Sequence, residues 1–242
     1  YFTPVLDTTD TDDDERISNT TDFQGFIDAS RNGGSEDRAL AGPMDGAIFA
    51  FQSRGIYMFV PTGDPESPYH RITLSIELGA VSQESTFMGE YEAGRACIYF
   101  LDPERGPYRY GARGLQWLNY DNQTLWATVN LAANVRVAAG LYHPGLRACI
   151  WGIATGSANV MSEILTLFVR EGQSTLVEGL RGGWVRWAEA SASTFRCCAL
   201  LPETFGATMS RSVKPYFGNS TVLNRWDDES VNQDAGASFR AY

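Results

Sequence analysis

The chain has 242 residues, of which 43% are hydrophobic and 12% aromatic, values typical of a globular protein rather than a disordered one. Its formal charge is −10, and its bases are 18 Arg and a single Lys, Lys214. This negative charge argues against electrostatic binding to nucleic acid or to an anionic membrane. The absence of an 18-residue apolar run predicts no transmembrane helix.

The charge lies at the two ends of the chain. Residues 1–45 have a net charge of −8, residues 219–242 have −2, and residues 46–218 are neutral. We therefore predict an acidic N-terminal arm, a folded body and a polar C-terminal tail with these boundaries. Such an arm cannot offset its ordering cost of roughly 1–2 kcal/mol per residue alone, so we expect it to lie on a partner. Phe23 and Phe26 are its candidate anchors, and a sequence of Ser, Glu and Asp at 35–40 favours a short helix.

The body has the texture of a β protein. Short runs rich in aromatic and β-branched residues, separated by Gly, Pro and Asn, predict about nine strands. They are residues 47–51, 55–60, 70–81, 96–101, 124–132, 134–141, 147–154, 184–190 and 194–201. Residues 157–169 fit either a helical face or a strand, and we favour a strand at 164–170. With no βα alternation, this pattern predicts an all-β antiparallel sandwich, and about eight strands in two sheets form a jelly roll.

Two segments carry more specific expectations. In residues 70–81, Ile72, Leu74, Ile76 and Leu78 alternate with polar residues, which predicts one buried and one solvated face. Residues 102–114 are rich in Gly, Pro, Arg and Tyr and predict a loop.

The four cysteines lie in apolar stretches without a C-x-x-C pair or zinc-ligand spacing, which favours buried free thiols. They are Cys97, Cys149, Cys197 and Cys198. If the adjacent pair lies in a strand, its two side chains point to opposite faces.

No motif for catalysis or cofactor binding is present. His70 and His143 are interpreted as surface or turn residues because no G-x-S-x-G elbow supplies a nucleophile. The acids near 77–92 are interpreted as solvated, and the acidic run at 8–15 lacks the Gly and Glu of a calcium loop. The sequence therefore predicts no catalytic residue, no cofactor, no metal and no enzyme activity.

A cluster of basic and aromatic residues stands out between 105 and 113. Its members are Arg105, Tyr108, Arg109, Tyr110 and Arg113. Tyr and Arg are frequent anchors of protein interfaces, which we prefer, although single-stranded RNA would also stack on such residues. Trp226 is a further interface candidate in the tail.

Residues 57–63, with the sequence YMFVPTG, are followed by Pro65 and Pro68. This segment is similar to the strand and Pro-Pro-Gly turn of picorna-like virus capsid proteins, with Thr62 in place of the second proline. A start at Tyr1 without Met, an arm, a β body and a polar tail also resemble such a processed chain.

The resemblance implies a jelly-roll capsid subunit that assembles with sister subunits into an icosahedral shell around RNA. The protein would then be found in the virion, and in the host cytoplasm during assembly. The arm would run under neighbouring subunits, and its acidity departs from the basic arms that neutralise a genome, which leaves only weak contact with genomic RNA.

Two alternatives remain open. One is a secreted carbohydrate-binding sandwich or glycan-processing enzyme, in which Trp117, Trp126, Trp151, Trp184 and Trp187 include sugar platforms. Glycosylation at Asn122 and a disulfide would favour it, and free thiols would disfavour it. The other is a structural subunit of another large assembly, such as a phage tail or an organellar complex.

Overall fold

The computed structural model describes residues 35–64, 68–92, 95–119, 123–169, 183–188, 197–205, 208–218, 223–225, 233–234 and 237–238. Three of the predicted interface residues, Phe23, Phe26 and Trp226, lie outside these residues. Most of the predicted arm and tail lies outside them as well.

The described chain is all-β, with antiparallel sheets that follow one another in sequence. The first sheet contains β1 (Asp37–Met44), β2 (Ala47–Gln52), β3 (Gly55–Pro61) and β4 (Tyr69–Ser75). The second contains β5 (Phe87–Glu92), β6 (Arg95–Asp102), β7 (Gly106–Gly111) and β8 (Gly114–Trp117). The third contains β9 (Ala139–His143), β10 (Ala148–Ile153), β11 (Glu163–Phe168) and β12 (Trp184–Ala188). The fourth contains β13 (Cys197–Phe205), β14 (Thr208–Gly218) and β15 (Leu223–Arg225), and β16 (Gln233–Asp234) pairs with β17 (Ala237–Ser238).

Each sheet is a meander, because every pairing between these named strands joins two that are consecutive in sequence. A jelly roll requires Greek-key connections that return a strand to pair with one distant in sequence. The all-β antiparallel class is therefore confirmed, whereas the predicted jelly-roll connectivity is not.

Two short helices connect the second sheet to the third. They are α1 (Gln123–Trp126) and α2 (Leu131–Val137). The Asn130 side chain caps α2 by accepting a hydrogen bond from the backbone N–H of Ala133, 3.3 Å away. The strand predicted at 124–132 is wrong, and the one at 134–141 begins only at β9. The capping Asn and the Ala-rich turn that follows favour a helix over a strand.

Three other expectations differ from the structure. Residues 37–44 form β1, which pairs along β2, so the predicted helix at 35–40 is wrong and a strand lies within the segment predicted as an arm. Residues 106–111 form β7 within the segment 102–114, where a loop was expected, and β8 follows at 114–117. The strand predicted at 70–81 ends at Ser75, and Ile76 beyond it is 65% exposed rather than buried.

The sheets pack face to face in sequence order. Between the first and second sheets the ring centroids of Phe51 and Phe100 are 5.0 Å apart. Between the second and third, those of Phe87 and Trp151 are 5.3 Å apart. Phe217 of the fourth sheet is buried in the same cluster as side chains from β9 and β10. The second and third sheets are thus each covered on both faces.

The first strands of the sheets also approach one another: β1 contacts β5, β5 contacts β9, and β9 contacts β13. Consecutive sheets are therefore stacked so that the first strand of each sheet lies next to the first strand of the following one.

The cysteine and histidine expectations are met in part. All four cysteines are free; Cys97 and Cys149 are buried, and Cys197 is exposed. Cys198 packs against the cluster between the third and fourth sheets, so the adjacent pair points to opposite faces as predicted. His143 is 5% exposed rather than at the surface, and its Nδ1 accepts the backbone N–H of Leu146 at 3.0 Å.

No helix within the described ranges is long and apolar enough to cross a membrane. The part of the chain that the structure describes also contains no group of three or more His, Cys, Asp or Glu side chains arranged to hold a metal ion.

Candidate ligand-binding cleft

A surface cleft of about 450 Å³ lies beside the turn between β6 and β7. Its walls come from that turn, from the end of β8 and from α1. The lining residues are Glu104, Arg105, Tyr108, Trp117, Asn119, Gln123, Trp126 and Ala127. This volume falls within the range of roughly 300–1,000 Å³ that is typical of small-molecule sites.

Backbone carbonyls of the β6–β7 turn hold three of the lining side chains in place by accepting hydrogen bonds from them. The indole Nε1 of Trp117 and the amide Nδ2 of Asn119 both donate to the carbonyl of Arg105, at 2.8 and 3.0 Å. The indole Nε1 of Trp126 donates to the carbonyl of Pro103 at 3.3 Å. The polar end of each indole is therefore satisfied by the protein, and the ring carbons form the lining.

Asn119 has a polar atom that no described residue satisfies. The side chain is 1% exposed, its Nδ2 is used by the Arg105 carbonyl, and its Oδ1 is buried without a hydrogen-bond partner. A buried acceptor left unpaired is costly, and such groups in native proteins commonly serve a ligand or an ordered water. The Asn119 Oδ1 is thus a buried, unpaired acceptor in a residue that lines the cleft.

Charged groups on the rim are arranged in pairs of opposite sign. Arg105 lies 3.2 Å from Glu77, and Arg54 pairs with Glu104. Both pairs are exposed, so they add little to stability, but they leave the rim close to neutral.

At neutral pH the Tyr108 phenol is protonated and the Arg105 guanidinium is positively charged. Burial raises the pKa of Tyr108, with the Arg105 hydrogen bond opposing it, so the phenol stays protonated. The hydrogen bond to Tyr108, and then the one to Glu77, raises the pKa of Arg105, which stays charged. The cleft therefore presents one phenolic hydroxyl and one cationic group with several N–H donors.

The predicted basic-aromatic cluster is divided by the strand that contains it. Arg105 and Tyr108 line the cleft, and Tyr110 packs at the first sheet with its ring centroid 5.1 Å from that of Phe49. Arg109 points to the opposite face, where its guanidinium lies 4.5 Å from the ring centroid of Tyr91. Arg113 is exposed in the turn between β7 and β8. The structure does not bring these five residues together on one surface.

The tryptophans are divided as well. Trp117 and Trp126 line the cleft, but only Trp117 is exposed, because Trp126 belongs to the same buried core cluster as Trp151, against which Trp184 packs. The side chain of Trp187 lies outside the described residues. Sequence reasoning had named Trp117 and Trp126 as candidate sugar platforms but missed Asn119 and Gln123, for which no sequence motif gives a signal.

Comparisons with known proteins give little further information. No protein-family model matches the chain, and no curated protein sequence matches it. Among solved structures, the chain is similar to an arginine-to-alanine triple mutant of AofleA from Arthrobotrys oligospora, with 13% sequence identity and a TM-score of 0.38. The match covers 79% of this chain and 56% of that one, so the chain spans a little over half of that protein's length.

Proposed function

We propose that the protein binds a carbohydrate and that the cleft beside the β6–β7 turn holds one sugar ring. The observation that carries this proposal is that Trp117, which is 39% exposed, lines one cleft together with Trp126 and the polar side chains of Arg105, Asn119 and Gln123. A pyranose ring presents apolar C–H faces and a rim of hydroxyl groups. The exposed indole of Trp117 packs against the former, and the polar lining groups hydrogen-bond to the latter.

The remaining lining groups fit the same ligand. The Arg105 guanidinium donates to hydroxyl oxygens, while Glu104 and the Gln123 amide oxygen accept from hydroxyl hydrogens. A hydroxyl group both donates and accepts, so one ring can use acceptors and donors placed side by side. The near-neutral rim, with Glu77 and Glu104 paired to arginines, favours a neutral sugar over an anionic one.

Single-stranded nucleic acid also stacks on aromatic side chains, but it needs an uncompensated run of cations for its phosphates. Here Arg105 is paired with Glu77, and the chain as a whole has a charge of −10. Carbohydrate binding is therefore the better fit to this cleft.

For the architecture, we propose that the sheets are arranged as blades around an axis, as in a β-propeller. Four-stranded meanders in sequence order, packed face to face with their first strands adjacent, support this arrangement. A jelly roll stays a prediction without support from any described strand pairing. An electron-density map that placed β1, β5 and β9 around one axis would decide for blades.

The capsid function stays a prediction, and so does the alternative that the protein is a structural subunit of another large assembly. Neither is tested by the cleft. Sedimentation of material from the native source tests the capsid function, because a shell of about 30 nm sediments far faster than a single chain. If no such particle forms, the shell function is wrong.

The binding proposal is tested by calorimetry with a panel of neutral monosaccharides and oligosaccharides. We expect one panel member to bind, and we expect Trp117→Ala and Arg105→Ala each to weaken that binding about tenfold or more. Two matched controls, Leu131→Ala and Arg136→Ala, remove an exposed apolar and an exposed basic side chain from α2. Equal affinity in the Trp117 variant and the controls, or no binding by the unaltered protein, would contradict the proposal.

A further inference from the structure

Asp102, at the end of β6, has a buried carboxylate whose hydrogen bonds are all to backbone groups. It is 2% exposed. Its Oδ1 accepts the backbone N–H groups of Glu104 at 3.0 Å and Arg105 at 2.7 Å, and its Oδ2 accepts that of Gly79 at 3.0 Å. This carboxylate is thus used as an acceptor for backbone groups rather than as the partner of a basic side chain.

On one side, Asp102 holds the turn that anchors the cleft. The two N–H groups bound by Oδ1 fix the peptide planes from Pro103 to Arg105. The carbonyls of this same turn accept the indole N–H groups of Trp117 and Trp126 and the amide of Asn119. The Pro103 carbonyl belongs to the first of these two peptides and the Arg105 carbonyl to the peptide that follows them. A change in their orientation therefore moves Trp126 directly, and moves Trp117 and Asn119 through the adjoining peptide.

On the other side, Asp102 holds the connection between the first and second sheets. Gly79 is packed so closely that a Cβ atom there would lie 2.2 Å from the carbonyl oxygen of Gln52. Its neighbours are fixed to the β2–β3 turn, because Gly55 donates to Leu78 at 2.7 Å and Ala80 donates to Gln52 at 2.9 Å. The Gly79 N–H is therefore a rigid reference point for the carboxylate.

We propose that Asp102 is the positioning residue of the cleft and sets the placement of Trp117, Trp126 and Asn119 through the Pro103–Gly106 turn. The ligand side of this proposal rests on the carbohydrate-binding function proposed above. Its physical basis is that no neutral side chain of the same shape accepts three N–H hydrogen bonds. Asn in its place retains one acceptor oxygen and directs an NH₂ group at a backbone N–H.

The protonation of Asp102 gives a readout that a merely structural residue lacks. Burial raises the pKa of its carboxyl, while the N–H groups of Gly79, Arg105 and Glu104 and the charge of Arg105 oppose the shift. The other charged groups on the adjoining segments are Glu77, Glu104 and Arg54, all exposed in ion pairs, and the neighbouring Tyr108 is neutral.

Protonation of Asp102 at low pH affects the free energy of unfolding and the ligand affinity in different directions. Because the pKa is higher in the folded chain than in the unfolded one, acidification through it does not lower the free energy of unfolding through Asp102. Protonation does remove acceptor capacity from the turn, so ligand affinity falls over the same pH range.

The first test compares Asp102→Asn with Glu84→Gln, which neutralises an exposed carboxylate outside the cleft. In a two-dimensional ¹H–¹⁵N NMR spectrum, we expect Asp102→Asn to shift the indole N–H signals of Trp117 and Trp126. The signal of Trp151, which donates to the Ser85 carbonyl in the core, serves as the internal control and stays in place. We also expect at least a tenfold loss of affinity for the sugar identified in the panel.

The outcomes separate the two proposals. Shifted Trp117 and Trp126 signals in the absence of any sugar binding by the unaltered protein support positioning and overturn the binding function. Unchanged signals, or shifted signals with unchanged sugar affinity, overturn positioning. If Asp102→Asn does not fold, Glu104→Gln decides, because it removes the carboxylate that lines the cleft. Affinity that still falls on acidification in this variant, without a lower unfolding midpoint, supports positioning, and constant affinity overturns it.

Discussion

Gly106 and Asn119 are packed so closely that a side chain at position 106 has no room. A Cβ atom on Gly106 would lie 2.6 Å from Nδ2 of Asn119 and 3.0 Å from Cδ2 of Trp126. Gly106 also has a φ of 89°, a conformation that side-chain-bearing residues rarely adopt. The turn at the cleft therefore depends on glycine for both its backbone and its contacts.

We predict that Gly106→Ala displaces Asn119 and weakens ligand binding while lowering the free energy of unfolding by about 1–3 kcal/mol. Gly114→Ala is the matched control, since Gly114 has a φ of 78° but nothing within 4 Å of its would-be Cβ. It has similar backbone strain without the collision. Urea unfolding and calorimetry on both variants check this, and equal sugar affinities in the two would contradict the role of the close contact.

The sequence identified the strands of the core better than their layering. The runs predicted as strands at 96–101 and 147–154 are apolar at nearly every position, and they form β6 and β10. In the structure, Tyr99 faces the third sheet and Phe100 faces the first. A strand buried on both faces has a continuous apolar run, whereas a two-sheet sandwich gives alternation. The runs therefore already contained the signal for more than two stacked sheets, which the jelly-roll interpretation overlooked.

The cleft could be predicted only in fragments. Trp117 and Trp126 were candidates by residue type alone, since the sequence does not show that Trp117 is 39% exposed and Trp126 only 7%. Asn119 was missed because its importance comes from burial and an unpaired oxygen, which depend on the tertiary fold. The Gly and Pro residues around 103–107 predict a loop, but in the structure they form one tight turn between β6 and β7.

We predict a coupling between Phe51 and Phe100, because packing between the first and second sheets relies on aromatic contacts. Both side chains are at most 1% exposed, with ring centroids 5.0 Å apart. In a double-mutant cycle with Phe51→Leu and Phe100→Leu, the expected coupling is about 0.5–1.5 kcal/mol. Phe51→Leu combined with Leu165→Ala, in the third sheet, should be additive to within about 0.5 kcal/mol. Additivity in the first pair would show that the two sheets do not pack in this way.

We predict that the cysteines differ sharply in reactivity. Burial raises the pKa of Cys97 to about 11 and that of Cys198 to about 12, and it raises the pKa of Cys149 as well. The thiolate is the reactive form, so these three thiols react slowly in the folded protein. Cys197 is exposed, and we expect Ellman's reagent at pH 8 to modify one thiol per chain rapidly and all four after unfolding. Cys197→Ser should remove the rapid phase, and a rapid phase that persists in that variant would contradict the assignment.

The buried thiol of Cys97 also makes stability fall in alkaline solution. Its pKa is about 11 in the folded chain against an ordinary value of 9.0, so below pH 9 the thiol is protonated in both states. As the pH rises from 9 to 11, the unfolded chain loses this proton first, and the free energy of unfolding falls by up to about 1.4 kcal/mol per pH unit. Burial raises the pKa of the neighbouring Tyr99 too, which adds to the loss from pH 10 upward.

Urea unfolding at intervals between pH 8 and 11 measures the slope of the free energy of unfolding against pH. We expect Cys97→Ala to make it shallower by about 1.4 kcal/mol per pH unit at most. Ile98→Val, at the next position in β6 and on its other face, is the control that destabilises the core without removing a titrating group. If Cys97→Ala and Ile98→Val give the same slope, the Cys97 thiol does not titrate differently in the folded and unfolded chains.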